Sequence, residues 1–199
     1  NGRFSIPGTL ENGALVTPVT LPNQQAPLKL DLRRAAFRIT EDKLALNESE
    51  LRWKGNSAVK LHGSVRFKSA DWQLTVEAAE VPAAEFLTAE WQPKLSGELE
   101  GTAELSGGRA GDVAWKADVA LKKGVLTALP LLDKLATYTR VDRFKRLVLD
   151  IATASVSPEG AGTRLEKIVV QSNGLLRIEG TLHLLPADAI AGDFIVGVT

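Results

Sequence analysis

Along most of this chain apolar and polar residues alternate one for one, the spacing that sends successive side chains to opposite faces of a β-strand. Between Lys94 and Leu105 the odd positions, Leu95, Gly97, Leu99, Gly101, Ala103 and Leu105, are apolar or glycine, and the even ones are polar. Val59, Leu61, Val65 and Phe67 alternate with Lys60, His62, Ser64, Arg66 and Lys68. Trp72, Leu74 and Val76 resume the row after a turn at 69–71, which predicts a hairpin. Val113, Trp115, Ala117, Val119 and Leu121 form a further row, with a turn expected at Lys122, Lys123 and Gly124. Leu147, Leu149 and Ile151 lead into a run ending near Val156, and Pro158, Glu159 and Gly160 turn the chain. The strands Ile168–Gln171 and Leu176–Leu184 meet across Asn173-Gly174, a dipeptide that favours a type I′ turn because both central residues take positive φ.

An apolar-x-Gly-x-apolar spacing recurs at Leu61–Val65, Leu95–Leu99 and Ile178–Leu182, with each glycine on the apolar face. A missing side chain there lets a strand bend or a neighbour approach closely. Helical spacing is confined to two places. One segment, about 129–140, has Thr127 as a cap, Pro130 in the first turn and Leu131, Leu135 and Tyr138 along one stripe, with Leu132 alongside. A second short helix is expected over 83–89, opened by Pro82. Residues 16–27, with Pro18, Pro22 and Pro27, read as an irregular connection. The predicted fold class is mainly β: an antiparallel, curved or open sheet with one amphipathic helix packed on it.

Composition narrows the function classes. Lys plus Arg and Asp plus Glu each number 24, so the chain lacks the positive excess of a protein held to nucleic acid through phosphates. Cys number 0, which removes disulfides and thiolate zinc sites and leaves a periplasmic or a cytosolic setting open. No run reaches the roughly 20 apolar residues of a membrane-spanning helix. Met also number 0, the initiator included, so the chain reads as an excised or processed piece, with any signal or membrane anchor lying outside it. A single β-rich domain over 1–199, or a fragment of a longer β-groove, is the expectation.

Catalytic or metal-binding groupings are not legible. His62 and His183 fall in the polar phase of their strands, with no His-x-His or HExxH spacing around them. The segment Gly107–Gly111 lacks both the Lys-Ser/Thr of a phosphate loop and the Gly-x-Ser-x-Gly of a nucleophile elbow. Asp133, Asp142 and Asp150 read as solubilising and turn residues. Arg140, Arg143 and Arg146, with Lys145 and Phe144 between, form the densest basic cluster: a solvated helix end or a contact for an anionic headgroup. No cofactor and no metal are expected.

The stretch 124–198 resembles the C-terminal region of AsmA-like proteins of the bacterial envelope. Gly124-Val125-Leu126-Thr127 is followed by the helical segment and then by Phe144-Lys145-Arg146-Leu147. The paired strands Leu165–Ser172 and Leu176–Leu182 complete the pattern. The resemblance covers more than a third of the chain and rests on apolar and glycine positions. It implies a periplasmic β-groove, carried by a larger protein anchored to the inner membrane and implicated in phospholipid passage and outer-membrane assembly. It brings no catalytic residue with it. The expected function is therefore non-catalytic binding or transfer of a phospholipid or other acyl lipid, with other envelope proteins as further partners. Leu99, Trp115, Leu121 and Leu182 are the groove-lining candidates, and Arg140, Arg143 and Arg146 the headgroup candidates. A structural or interaction module with a closed core, and more remotely an enzyme acting on envelope glycans or lipids, are the alternatives.

Overall fold

The computed structural model describes residues 4–17, 27–53, 56–186 and 189–197, apart from the side chain of Leu131. Most of the expected 16–27 connection lies outside them.

Twelve strands carry the fold: β1 (Ser5–Val16), β2 (Lys29–Thr40), β3 (Lys43–Arg52), β4 (Ala58–Arg66), β5 (Trp72–Pro82), β6 (Leu95–Gly107), β7 (Val113–Thr127), β8 (Arg146–Leu149), β9 (Ile151–Glu159), β10 (Gly162–Ser172), β11 (Leu176–Leu184) and β12 (Ile190–Gly197). They form one open antiparallel sheet, ordered β1-β2-β3-β4-β5-β6-β7-β9-β10-β11-β12, with β8 paired to β7 beside that path. Apart from that detour, each strand is hydrogen-bonded to its neighbour in sequence. The mainly β, antiparallel architecture, with a single α-helix among the described residues, is as the alternation predicts.

Backbone contacts divide the chain into two compact units. Among the described residues, one holds 4–17, 27–53, 56–81 and 101–117, and the other holds 82–100, 118–186 and 189–197.

In the first unit the register builds continuous cross-strand rows. Ile6, Ile39, Leu44, Val65 and Trp72 stand opposite one another in turn across β1 to β5. Gly8, Phe37, Leu46, Gly63 and Leu74 make the adjacent row. Directly opposed residues share a face, so these rows form one apolar surface. On the other face Glu11, Arg34, Glu50, Lys60 and Glu77 are opposed in sequence, a row whose charge alternates at every strand. A one-residue slip would break both patterns at once, which is how such a sheet holds its register. Bulges adjust the match: the β3–β4 pairing shifts between Leu46 and Glu50, and the intervening Ser49 hydroxyl donates to Leu61 O at 2.8 Å and accepts from Leu61 N at 2.9 Å.

In the second unit the helix α1 (Pro130–Thr139) lies against the sheet. Leu132 and Ala136 are buried, four residues apart on one stripe, in a cluster with Phe144, Leu147, Leu149 and Leu175. Pro130 sits in the first turn, and Arg140 in the left-handed region (φ 57°, ψ 31°) ends the helix. Two details differ from the sequence reading. Thr127 does not cap the helix: the preceding residue, Leu129, is its N-cap, and the Thr127 hydroxyl instead donates to Pro93 O at 3.1 Å. Tyr138 is 90% exposed rather than part of the apolar stripe, because Leu132, Leu135 and Ala136 already fill the face turned to the sheet.

Three further expectations are corrected. The turn placed at Lys122-Lys123-Gly124 does not exist: β7 runs straight through it, with Lys123 at φ 52° and its ammonium 2.9 Å from Glu98. The second helix over 83–89 is only a 3-10 turn, Ala83–Phe86, too short to propagate. The Asn173-Gly174 hairpin is not a two-residue type I′ turn. Ser172 pairs with Leu176, Leu175 N donates to Ser172 O at 3.1 Å, and Gly174 alone of the loop residues has positive φ. A positive φ confined to the third turn position belongs to a type II turn.

The recurring glycines fall where backbones crowd. A Cβ on Gly63 would collide with the carbonyl oxygen of Gln73, and one on Gly180 with that of Asp193. At these two the role is close strand approach, the second of the two uses expected, whereas Gly97 is crowded by Lys122 O and also adopts φ 144°, a backbone conformation that favours glycine.

Candidate functional site

The apolar rows of the first unit are only half covered. Phe37, Ile39, Leu44, Leu46, Val65, Trp72 and Leu74 are all partly exposed, and Ile6 at the edge strand is exposed over about half its surface. Full burial is found instead towards the opposite strand ends, at Leu30, Leu51, Trp53, Val59 and Val81. The open end contains a shallow hollow of about 230 Å³, lined by Leu44, Leu46, Gly63, Ser64, Val65, Trp72, Gln73 and Leu74. Its floor is the bare backbone of Gly63, between Leu46 and Leu74 in the same row, and aliphatic side chains and the indole make its rim. Such a surface gains by covering hydrocarbon and offers little to a charged ligand.

Two other hollows in this unit are polar. Gln73–Thr75, Glu104–Ser106 and Ala114–Lys116 line one of about 440 Å³, which includes Trp115. Arg34, Asn47–Glu50, Lys60–His62 and Glu77 line another of about 260 Å³, above the β3 bulge. Two carboxylates of the latter, Glu50 and Glu77, are interleaved with Arg34 and Lys60 in the alternating row. That arrangement neutralises charge across strands. Among the described residues no three His, Asp or Glu side chains converge as a metal site.

In the second unit Val156, Leu165, Leu182 and Gly192 are opposed across β9 to β12 on the apolar face, and their three side-chain-bearing members are half-buried. The polar side of the same strands carries a hydrogen bond between His183 Nδ1 and Glu159 Oε2 at 2.5 Å, and ion pairs of Arg164 with Glu159 at 3.4 Å and with Glu166 at 2.8 Å. His183 is thus half-buried in a charged ladder, whereas His62 is exposed in the polar hollow.

The four groove candidates occupy different settings. Leu182 lies on the half-open apolar row just described. Leu121 packs against the helix-capped cluster, which closes its surroundings. Leu99 is half-buried on β6, and Trp115 borders the larger polar hollow. None lines the apolar hollow, whose residues were missed as a site. Of the basic candidates, Arg143 and Arg146 border one hollow of about 250 Å³, while Arg140 stands apart at the helix end.

Compared with protein-family models, with curated proteins and with solved structures, the chain matches none. No helix among the described residues is long and apolar enough to cross a membrane.

Proposed function

We propose that this chain is a non-catalytic acyl-lipid-binding β-domain of the bacterial envelope, of the AsmA-like kind, working in the periplasm as part of a protein anchored to the inner membrane. The observation that carries this reading is the five-strand apolar face of the first unit, half-exposed and hollowed over Gly63. A sealed core would bury these side chains as it does Leu51 and Leu147.

The magnitudes suit transit better than storage. If a methylene fills roughly 30 Å³, about the share of one liquid water molecule, the hollow takes roughly eight of them. At about 0.8 kcal/mol each this gives on the order of 6 kcal/mol, close to what the same methylenes gain in a bilayer. Exchange between the two is then nearly balanced, and lipid passes without being trapped. Phospholipid is the natural acyl ligand of that compartment, and other envelope proteins would deliver or receive it.

A closed structural module is the second reading, favoured by the helix-capped cluster around Leu147 in the second unit. A photo-crosslinking residue at Leu46, with one at Lys60 on the opposite face as control, separates the two. The lipid reading expects acyl lipid captured at position 46 and not at 60, and, with the probe kept at 46, a Leu74→Asp variant that stays folded but captures none. No lipid captured at position 46, with unfolding of Leu74→Asp, would leave the structural module.

A further inference from the structure

Beyond the acyl face, the second unit has a hollow that is chemically unlike it. Arg143, Arg146, Val148, Asp150, Ser172, Asn173 and Leu175 enclose about 250 Å³. Three segments build it. A 3-10 turn, Asp142–Lys145, presents Arg143 while Phe144 buries itself in the core cluster and anchors the turn. β8 alternates Leu147 and Leu149 inward with Arg146 and Val148 outward. The β10–β11 loop supplies Asn173, tied down by its N–H to Asp150 Oδ2 at 2.6 Å and by Gln171 Nε2 to its side-chain oxygen at 2.7 Å.

The cations are available. Arg143 spends one donor on Asn173 O at a long 3.4 Å, and Arg146 takes no side-chain partner among the described residues. The adjacent Lys145 is instead paired with Asp142 at 2.7 Å. The one carboxylate in the hollow, Asp150, accepts the loop N–H through Oδ2, and two guanidinium groups outnumber its single negative charge. Two planar forks on one concavity match the oxygens of a phosphate group, which arginine binds in bidentate fashion. Val148, about half exposed on the rim, gives that group an apolar neighbour.

We infer that the hollow between Arg143 and Arg146 is a binding site for a phosphate ester, with the headgroup of an anionic phospholipid as the ligand. It shares no residue with the acyl hollow over Gly63, so either can fail without the other.

The test uses the whole chain with vesicles of phosphatidylcholine alone, or with phosphatidylglycerol added, and separately with inorganic phosphate. The parent chain should bind the anionic vesicles about 30-fold more tightly than phosphatidylcholine alone, and phosphate should shift the Nε–H signals of Arg143 and Arg146 in NMR spectra. Two surface charges removed from an anionic membrane account for about a 30-fold loss, at about 1 kcal/mol each. Arg143→Gln with Arg146→Gln should therefore lose more than 30-fold. Arg143→Lys with Arg146→Lys, which keeps the charge but not the forks, should still lose about tenfold, and Arg140→Gln at most about fivefold. Melting curves matching the parent's confirm that each variant is folded. Phosphate shifts at both arginines without vesicle binding would assign the site to a soluble phosphate ester. A lysine pair that binds like the parent, or parent binding to both vesicles alike, would overturn the proposal.

Discussion

The indole of Trp72 packs on the bare backbone of Gly107: a Cβ there would stand 2.8 Å from both Cε2 and Cζ2 of the ring. Trp72 also forms part of the rim of the apolar hollow. Gly107→Val should therefore push the indole off β6 and cost about 1–3 kcal/mol by overpacking. Urea unfolding and a changed tryptophan emission maximum check this. An unchanged emission spectrum and midpoint would mean that the contact is absent in solution.

Lys60 lies between Glu50 and Glu77 in the alternating row. Lys60→Glu places like charges opposite on both sides and should cost about 0.5–2 kcal/mol, at roughly 0.2–1 kcal/mol per pair. The loss should shrink in high salt, since these groups are exposed and screened. Denaturation of Lys60→Glu and Lys60→Gln at two ionic strengths measures both effects.

Leu147 is 1% exposed within the helix-capped cluster, whereas Leu46 is half-open. Truncation to alanine should cost about 2–5 kcal/mol at Leu147 and clearly less at Leu46, where no closed cavity remains. Equal losses would show that the apolar face is sealed in solution.

These contrasts mark what the sequence could convey. Alternation along one strand is local, so β4 to β6 and β10 to β11 were legible, as was a helix with proline at its start. The hollow was not, because it depends on which residues of 43–46 face which of 63–65 and 72–74, and pairing across strands leaves no local trace. Lys122-Lys123-Gly124 has turn composition, yet the two lysines find Glu100 and Glu98 on the neighbouring strand, and these tertiary pairs accompany a strand that carries on. The basic cluster was visible as composition. That Arg143 and Arg146 share a concavity and Arg140 does not depends on how the 3-10 turn folds back beside the β10–β11 loop.

A hydrogen bond from Lys145, and then its positive charge, hold the Asp142 carboxyl below the usual carboxylate range, against a smaller desolvation effect. A depressed folded value means fewer protons bound when folded. The contribution is thus present above the unfolded value, near 3.9, and fades as pH falls through the folded one. Lys145→Gln should raise the Asp142 midpoint in a carbon-13 carboxyl titration. An unmoved midpoint would mean that the pair does not form in solution.

β12 is an edge strand, exposed throughout, with Phe194 and Val196 on one face and Ile195, 76% exposed, on the other. It has no proline and no basic residue to discourage pairing with another strand. Ile195→Lys should reduce concentration-dependent self-association, followed by analytical ultracentrifugation, without lowering the melting temperature. Self-association unchanged by the lysine would show that this edge is not the adhesive one.

Because the strands follow one another through the sheet in almost the order of the chain, their partners are mostly close in sequence. Short loops close at small entropic cost, so assembly can proceed hairpin by hairpin, each new one using the last as its template. Such a lattice is nearly one-dimensional, with stability added neighbour by neighbour. Duplicating or deleting a hairpin would then change the length of the apolar face while leaving the pairing of distant strands intact, so the reach of the surface can change in evolution without a new fold being invented.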